Sequence, residues 1–305
     1  MRAETERITM NTTQMKNYLV DFLPEQGYTT EDSEYLLSIY DKIVADEKAL
    51  AVWEDALSLY DESAECDYKE ILKKADSVAY MLRFHPFTAE LLMFITMSPR
   101  LKERYIERGI PLHIFSDTVK DLRYKTTKGK RTYGVVGFFS SGWFIGYFNL
   151  TRFCLGRLQF EIIELGAEYN KNGHNLTPET KVINVHIPGA DTPFTPEACD
   201  EAFLQAKEFF GGEVATPTPF VCDSWFLFPE HETILPKTSN IYNFYKRYDV
   251  FEWTYDNKGG DLWRIFGTFE RNIDRLPATT SMQRAYIEYL KNGGIPGSGR
   301  GIFFL

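Results

Sequence analysis

The sequence predicts an α/β (α+β) protein in which an all-helical N-terminal domain precedes a mixed-sheet domain. Three observations predict it. Apolar residues recur at helical spacing from residue 11 to about residue 125. Beyond residue 126, short β-branched and aromatic runs flank a well-marked helix, a pattern typical of domains that combine strands with helices. At 305 residues the chain also exceeds a typical single domain, so we expect two domains, residues 1–125 and 126–305.

Composition excludes several classes of partner. A formal net charge of −9 leaves no basic footprint, so we expect no nucleic acid to bind. No apolar run is long enough to cross a membrane, and residues 1–11 do not resemble a secretory signal, so we expect a cytoplasmic location. The four cysteines form no C-x-x-C pair, which favours reduced thiols and argues against a metal site.

The first 125 residues carry the start and stop signals of helices. Hydroxyl and carboxylate groups at residues 30–33 suit a helix start, and Pro86 suits the first turn of a later helix. Ser98-Pro99 and residues 109–111 are predicted to separate further helices. Basic residues 125–131 are interpreted as a solvated loop between domains, with a mobile contact for an anionic ligand as the alternative.

Three apolar runs in the second domain are predicted to be strands of one sheet: residues 158–163, 182–187 and 220–227. Alternation gives each strand a polar face, which is costly to bury without partners, so we predict a wet cleft over part of the sheet. Cys222 and Ser224 fall on one side of the third strand, and Asp223 and Trp225 fall on the other. The polar or reactive side chains on these strands are Gln159, Glu161, Asn184, His186, Cys222, Asp223, Ser224 and Trp225.

The second strand leads into a turn and a capped helix. Pro188-Gly189 ends the strand, Thr195 is predicted to cap the next helix, and Pro196 suits its first position. A strand, a glycine-containing turn and a helix start in this order allow backbone N–H groups to face an anion.

Later residues predict a hairpin, a helix and a final strand. Residues 251–255 and 262–266 are interpreted as strands joined by the turn at 257–260. Thr280 and Gln283 have the spacing of a capping box. Residues 297–301 are interpreted as a glycine-rich turn before a last strand at 302–305, a pattern more typical of a hairpin than of a phosphate site.

Five motifs of the second domain together resemble a known family. They read G-R-L-Q-F-E at 156–161, V-H-I-P-G at 185–189, C-D-S-W at 222–225, S-N-I at 239–241 and S-M-Q-R-A at 281–285. The set is similar to bacterial proteins in which a helical N-acyltransferase-type domain precedes a GNAT-like acyltransferase domain. The resemblance implies an acyl-CoA donor, no metal, and a small-molecule or peptide amine as acceptor; it gives no oligomeric state.

The resemblance places the donor's pyrophosphate at the turn after the second strand. The turn lacks the [QR]-x-x-G-x-[GA] pattern usual in the GNAT superfamily, and Asp191 opposes phosphate binding unless its carboxylate points away. We expect cations at Lys128, Lys130, Arg131 or Arg300 to offset it. The expected cofactor-binding residues are Pro188, Gly189, Ala190, Thr192 and Thr195.

Acyl transfer to an amine needs a base, and His186 and Glu161 are the best candidates. The alternatives are a structural imidazole at His186 and an ion pair between Glu161 and Arg157 or Arg152. Cys222 is a candidate nucleophile or a small buried apolar residue. The remaining candidates are Ser224 in a catalytic role and, for substrate binding, Gln159, Asn184, Asp223 and Trp225.

Three functions remain open at this point. The first is an acyl-CoA-dependent N-acyltransferase in which an amine attacks the thioester directly. The second is a GNAT-like domain that binds acyl-CoA or another small ligand without turnover, which the altered turn favours. Carbohydrate hydrolysis ranks last, because Glu161, Glu164 and Asp223 do not have the spacing of a pair of carboxylates across a sugar cleft.

Overall fold

The computed structural model of the protein describes residues 10–62, 66–260 and 262–305. The chain divides into two compact units, with the division between Leu150 and Thr151. The first unit is helical, as predicted, and its described residues contain no strand. Its long helices are α1 (Thr12–Glu25), α2 (Thr30–Ala45), α3 (Glu47–Glu62), α4 (Tyr68–Leu82), α5 (Pro86–Glu107) and α6 (Leu112–Tyr133).

The helix-start signals of the first unit are confirmed, but one predicted helix break is wrong. Thr29 caps α2 by accepting a hydrogen bond from the backbone N–H of Asp32 at 3.1 Å. The predicted break at Pro99 lies inside α5. Proline has no N–H to bond the carbonyl four residues earlier. The hydroxyl of Ser98 donates instead to the carbonyl of Ile95 at 2.6 Å, which satisfies that acceptor.

The basic run at 125–131 is helical, which corrects the loop interpretation. It lies within α6, where the hydroxyl of Thr126 donates to the carbonyl of Leu122 at 2.8 Å. Lys130 forms an ion pair with Asp32 at 2.6 Å. The predicted domain boundary at residue 125 therefore falls inside a helix.

The aromatic residues after α6 also belong to the first unit. The ring of Phe94 in α5 lies 6.1 Å from Phe138, 5.4 Å from Phe144 and 4.9 Å from Phe148. Residues 141–148 form a short 3₁₀ helix (Ser141–Phe144) and α7 (Ile145–Phe148), and the rings of Phe144 and Phe148 pack on α5. This packing explains why the division lies after Leu150 and not at residue 125.

The second unit combines strands and helices. Its strands are β1 (Arg152–Leu155), β2 (Leu158–Glu164), β3 (Tyr169–Lys171), β4 (His174–Leu176), β5 (Lys181–His186), β6 (Pro219–Ser224), β7 (Asp249–Tyr255) and β8 (Gly297–Phe304). Its helices are α8 (Pro196–Phe209), α9 (His231–Ile234), α10 (Asn240–Tyr245), α11 (Leu262–Phe266) and α12 (Ser281–Lys291), with 3₁₀ helices at Trp225–Leu227 and Ile273–Arg275.

Six strands form one sheet in the order β1-β2-β5-β6-β8-β7, and β3 pairs with β4 in a separate hairpin. The three strands predicted to share a sheet do so, as β2, β5 and β6. All neighbours in the sheet are antiparallel except β5 and β6, which are parallel. The α8 helix connects these two parallel strands. The predicted cap at Thr195 is confirmed, since its side chain accepts from the N–H of Ala198 at 3.2 Å.

One face of this sheet packs on α8. Phe160, Phe220 and Phe303 come from three different strands, and their rings lie 4.8 to 6.0 Å from that of Phe203 in the helix. These side chains are buried or partly buried. The predicted alternation of β2 is therefore confirmed, because Phe160 points to this face and Glu161 to the other.

The opposite face is only partly covered. Leu165, Tyr169, Val182, Val221 and Ile302 form a buried cluster on that side, with the β3–β4 hairpin contributing Tyr169. This cluster lies toward the N-terminal ends of β5 and β6. Polar residues occupy the same face nearer the carboxyl ends of these strands.

Two predictions about the last hundred residues are wrong. Residues 262–266 form helix α11, and β7 pairs with β8 instead of with them. Residues 297–301 lie within β8 and do not form a turn. A Cβ at Gly299 would lie 2.1 Å from the carbonyl oxygen of Leu227, so the glycine allows the 3₁₀ helix to pack directly on the strand.

Candidate functional site

Three polar side chains on β1, β2 and β5 form a connected cluster at the carboxyl end of β5. Nη2 of Arg152 donates to both carboxylate oxygens of Glu161 at 3.0 Å. Nε2 of His186 lies 2.6 Å from Oε1 of the same carboxylate. The side chains of Glu161 and His186 are 15% and 19% exposed, so solvent and small molecules still reach them. The register explains the cluster, since Arg152 and Asn184 both lie directly opposite Glu161.

The carboxylate fixes the protonation pattern of the imidazole. A carboxylate only accepts, so Nε2 of His186 carries the proton that it donates to Glu161. In the neutral ring Nδ1 then holds the lone pair and is the atom that can accept a proton. Nδ2 of Asn184 donates to the same Oε1 at 3.3 Å, which further holds the carboxylate in place.

Glu161 is a carboxylate anion that accepts a proton only weakly. Burial by itself raises the pKa of this carboxyl, but hydrogen bonds from His186 and Arg152 outweigh it and lower the pKa to about 2. Of the two ion-pair partners predicted for Glu161, the structure selects Arg152. The carboxylate thus orients the imidazole of His186.

Two more of the predicted residues lie on this face. Gln159 is directly opposite His186 in the register, and it is buried, with no hydrogen-bond partner for Oε1 among the described residues. Asp223 is exposed on the next strand, two residues beyond Val221, which is registered with Asn184. The structure therefore brings together Gln159, Glu161, Asn184, His186 and Asp223.

The other three predicted residues are not part of this cluster. Cys222 is 1% exposed on the opposite face, and burial raises the pKa of its thiol far above the ordinary value, so it stays protonated. The hydroxyl of Ser224 accepts from the N–H of Phe226 at 3.2 Å and caps the 3₁₀ helix. The predicted third strand ends at Ser224, and Trp225 starts the 3₁₀ helix instead of continuing the strand. The geometry thus gives Cys222 and Ser224 structural positions.

Residues 187–195 form the turn between β5 and α8. Gly189, Asp191 and Thr192 are exposed, while Pro188 is buried. Pro196 occupies the first turn of α8, as predicted. The dipole of α8 places a partial positive charge at this end, which favours an anion. Pro196 has no N–H, however, and the N–H groups of Thr195 and Ala198 bond the carbonyl of Pro193 and the hydroxyl of Thr195 at 3.2 Å each.

Two arginines that were not predicted to lie at this turn contact its two ends. Nη1 of Arg157 donates to the carbonyl of Pro188 at 3.0 Å, and Nη2 of Arg247 donates to the carbonyl of Pro196 at 3.1 Å. Arg247 also pairs with Asp200 in α8. The cation expected from Arg300 lies elsewhere, since that side chain pairs with Glu252. Only the fold brings residue 247 to this turn, so no local pattern could have indicated it.

The two parallel strands separate beside the cluster. Their register pairs Ile183 with Phe220 and Asn184 with Val221 and ends there, whereas β5 continues to His186 and β6 to Ser224. Strands that diverge in this way leave backbone donors and acceptors facing a gap. A linear molecule with amide groups can pair with them.

In the part of the chain that the structure describes, no group of three or more His, Cys, Asp or Glu side chains is placed to hold a metal ion. Likewise, no helix among the described residues combines the length and apolarity needed to cross a membrane.

Comparison with solved structures shows the same fold in acyltransferases. A mutant acyltransferase in complex with octanoyl-CoA is 22% identical, with a TM-score of 0.70 over 95% of this chain and 88% of that chain. An acyltransferase in complex with decanoyl-CoA and teicoplanin is 21% identical, with a TM-score of 0.70 over 99% of this chain and 91% of that chain. A further acyltransferase in complex with decanoyl-CoA is 18% identical, with a TM-score of 0.67 over 97% of this chain and 100% of that chain.

Comparison with curated protein sequences gave no significant match. Two family descriptions match consecutive parts of the chain. Residues 17–150 match the N-acyltransferase N-terminal domain, and residues 152–303 match the GNAT-like C-terminal domain. The junction between the matches coincides with the division between the two units. The chain therefore belongs to the proteins that join an N-acyltransferase N-terminal domain to a GNAT-like C-terminal domain.

Proposed function

We propose that this protein is an acyl-CoA-dependent N-acyltransferase in which an amine attacks the thioester directly. The observation that carries the proposal is the hydrogen bond of 2.6 Å between His186 and Glu161, placed where β5 ends and the turn before α8 begins. A proton acceptor oriented by a carboxylate is the group that amine acylation needs.

The donor-binding part of the proposal rests on the turn at 187–195. The backbone N–H groups of Gly189, Ala190 and Thr192 lie in this turn and are proposed to bond the diphosphate. The guanidiniums of Arg157 and Arg247 add positive charge at the two ends of the turn. The gap between β5 and β6 suits the amide-bearing arm of coenzyme A. The similar acyltransferases were crystallised with octanoyl-CoA or decanoyl-CoA, which supports the same donor class here.

In the proposed reaction, Nδ1 of His186 takes a proton from the amine as the amine nitrogen bonds to the thioester carbonyl carbon. The C–S bond then breaks, and the departing thiolate takes the proton back from the His186 imidazolium, so the products are an amide and free coenzyme A and the imidazole is neutral again. Glu161 stabilises the imidazolium formed on the way. Gln159, Asn184 and Asp223 are proposed to contact the acceptor, since they lie on the same face as His186.

The acceptor is proposed to be a small-molecule or peptide amine. The exposed carboxylate of Asp223 favours a cationic amine at this face. One similar acyltransferase was crystallised with teicoplanin, which supports an acceptor of this general kind. We place the reaction in the cytoplasm, in keeping with four free cysteines in the chain.

A binding protein without turnover is the second candidate. The turn itself favours it, because Asp191 is exposed there and the usual glycine pattern is missing. Such a protein would bind coenzyme A but release no free thiol from acyl-CoA when amines are added.

The test is free-thiol release from decanoyl-CoA with a panel of primary amines. We expect His186→Gln to lower the rate about 10²- to 10⁴-fold, which is the usual contribution of a positioned general base. Its affinity for coenzyme A, measured by calorimetry, should stay at the parental value. His174→Gln is the matched control, because that imidazole stacks on Phe304 at 3.6 Å, in the part of the face covered by the hairpin. Equal rates for the parent and His186→Gln would remove the catalytic assignment.

A further inference from the structure

The second unit contains a cavity that the acyl-transfer site does not use. Its volume is ≈ 490 Å³, and it lies among the turn after β7, helix α11 and the segments on either side of α12. Small-molecule sites usually measure about 300–1,000 Å³, so its size fits a ligand. Leu262, Ile273, Leu276 and Leu290 line it and also belong to the small core around Phe266, so its floor is packed.

Aromatic and aliphatic side chains form its walls. The rings of Trp263 and Phe269 lie 5.7 Å apart at 35°, and both line the cavity. Phe269 is 51% exposed and Ile295, also in the lining, is 40% exposed. Large apolar side chains left exposed around a cavity mark a binding surface, and flat rings select flat partners.

The charges at the cavity do not select an anion. Asp256 and Glu270 contribute carboxylates to the lining, and Lys258 and Arg271 contribute cations. Because the two negative and two positive side chains balance, the cavity has no net charge that would attract a diphosphate. The apolar walls therefore decide what binds.

The strand order places this cavity on the opposite flank from the donor turn but at the same end of the sheet. Ser224 at the end of β6 is registered with Gly299 near the start of β8, and Tyr255 at the end of β7 with Gly297. The cavity therefore lies beyond the end of the sheet at which β5 and β6 separate. The turn at 187–195 follows β5, whereas the cavity adjoins the edge strand β7.

A buried hydrogen-bonded chain links the cavity's floor to the end of β6. Tyr286, in the core beneath the cavity, donates its hydroxyl proton to Nε2 of His231. Nδ1 of His231 donates to the carbonyl of Phe226 at 3.0 Å, in the 3₁₀ helix that follows β6. The cavity is thus held in a fixed position relative to that end of the strand.

We propose that this cavity binds an aromatic group of the acceptor, so that the acceptor is an amine joined to a planar aromatic system. The acceptor role rests on the proposed N-acyltransferase activity; the recognition of an aromatic group does not. Donor and acceptor would then approach the ends of β5 and β6 from opposite flanks.

Tryptamine is the probe for this site, with calorimetry on the full chain as the measurement. We expect Trp263→Ala and Phe269→Ala each to weaken tryptamine binding about tenfold or more, as for aromatic anchors in other interfaces. Trp253→Ala is the matched control, since Trp253 is 54% exposed on β7 and does not line the cavity. 3-Methylindole should compete with tryptamine, and ethanolamine should not. Absence of tryptamine binding to the parent, or equal affinity in Trp263→Ala, overturns the proposal.

A parallel titration with coenzyme A separates this inference from the proposed function. Trp263→Ala should bind coenzyme A with the parental affinity. If the parent binds and turns over acyl-CoA but does not bind tryptamine, the aromatic site is wrong and the activity stands. If the parent binds tryptamine in this cavity but does not bind coenzyme A, the acceptor assignment is overturned together with the activity.

Discussion

The two faces of the central sheet in the second unit differ in what their side chains contribute. On one face, Phe160, Phe220 and Phe303 pack on Phe203 of α8. On the other face, buried apolar residues cover only the part near the β3–β4 hairpin, and the cluster around Glu161 begins beyond it. The first face supplies packing, and the second places the residues proposed to carry out the reaction.

The largest effect on stability is expected at Phe203, on the packed face of the sheet. Phe203→Ala should lower the free energy of unfolding by about 3–5 kcal/mol, because it removes a buried ring and leaves a cavity. Denaturant unfolding of the parent and the variant measures this difference in the free energy of unfolding. Leu204→Ala is the control on the same helix, since Leu204 is 59% exposed. A loss at Phe203 no larger than at Leu204 would contradict the assignment of stability to this face.

A second prediction uses the pH dependence of stability to distinguish the buried His231 from Glu161 in the polar cluster. Burial lowers the pKa of His231 to about 4, so the folded state favours the neutral ring. Its stabilising contribution is complete above the ordinary pKa of 6.5 and is lost as the pH falls through about 4, for a total of about 3 kcal/mol. Glu161, with a pKa of about 2, loses its contribution only as the pH falls from 4.5 towards 2.

Urea unfolding at a series of pH values tests this order. The difference between the parent and His231→Gln should shrink as the pH falls from about 6.5 to 4, since only the parent must protonate a buried ring. A constant difference over this range would mean that His231 does not titrate in the expected window.

The sequence was sufficient where local patterns decide the structure. Strand alternation placed Glu161, Asn184 and His186 on one face, and a cap followed by proline located the start of α8. Both signals depend on residues close together in the chain, so tertiary contacts were not needed to interpret them.

Long-range contacts explain the errors. Residues 262–266 have an apolar composition that suits a strand or a helix, and they form a helix whose apolar residues pack in the small core around Phe266. The glycines at 297, 299 and 301 resemble a turn, but they are small because Leu227, Phe228 and Tyr248 pack on them. Each of these outcomes depends on a partner many residues away.

The smallest expected effect concerns the charge at the donor turn and uses two substitutions of opposite sign. Arg247 bonds the carbonyl of Pro196 and pairs with Asp200, so the carboxylate competes with any phosphate for the guanidinium. Arg247→Gln should weaken coenzyme A binding about tenfold, as expected for one charge-assisted hydrogen bond. Asp200→Asn should tighten it, because the guanidinium is then released to the ligand.

Calorimetry at two salt concentrations distinguishes this mechanism from a change of shape. Coenzyme A binding to the parent should weaken as salt rises, and Arg247→Gln should show a smaller dependence, because one of the screened cations is gone. Pantetheine, which has no phosphate, should bind the parent and both variants equally if it binds at all. If both substitutions weaken coenzyme A binding, or if pantetheine binding changes with them, Arg247 acts by holding the turn in shape and not by contacting the phosphate. The distinction matters for the comparison of the two faces, because it decides whether the charge beside α8 belongs to the stabilising side of the sheet or to the ligand site.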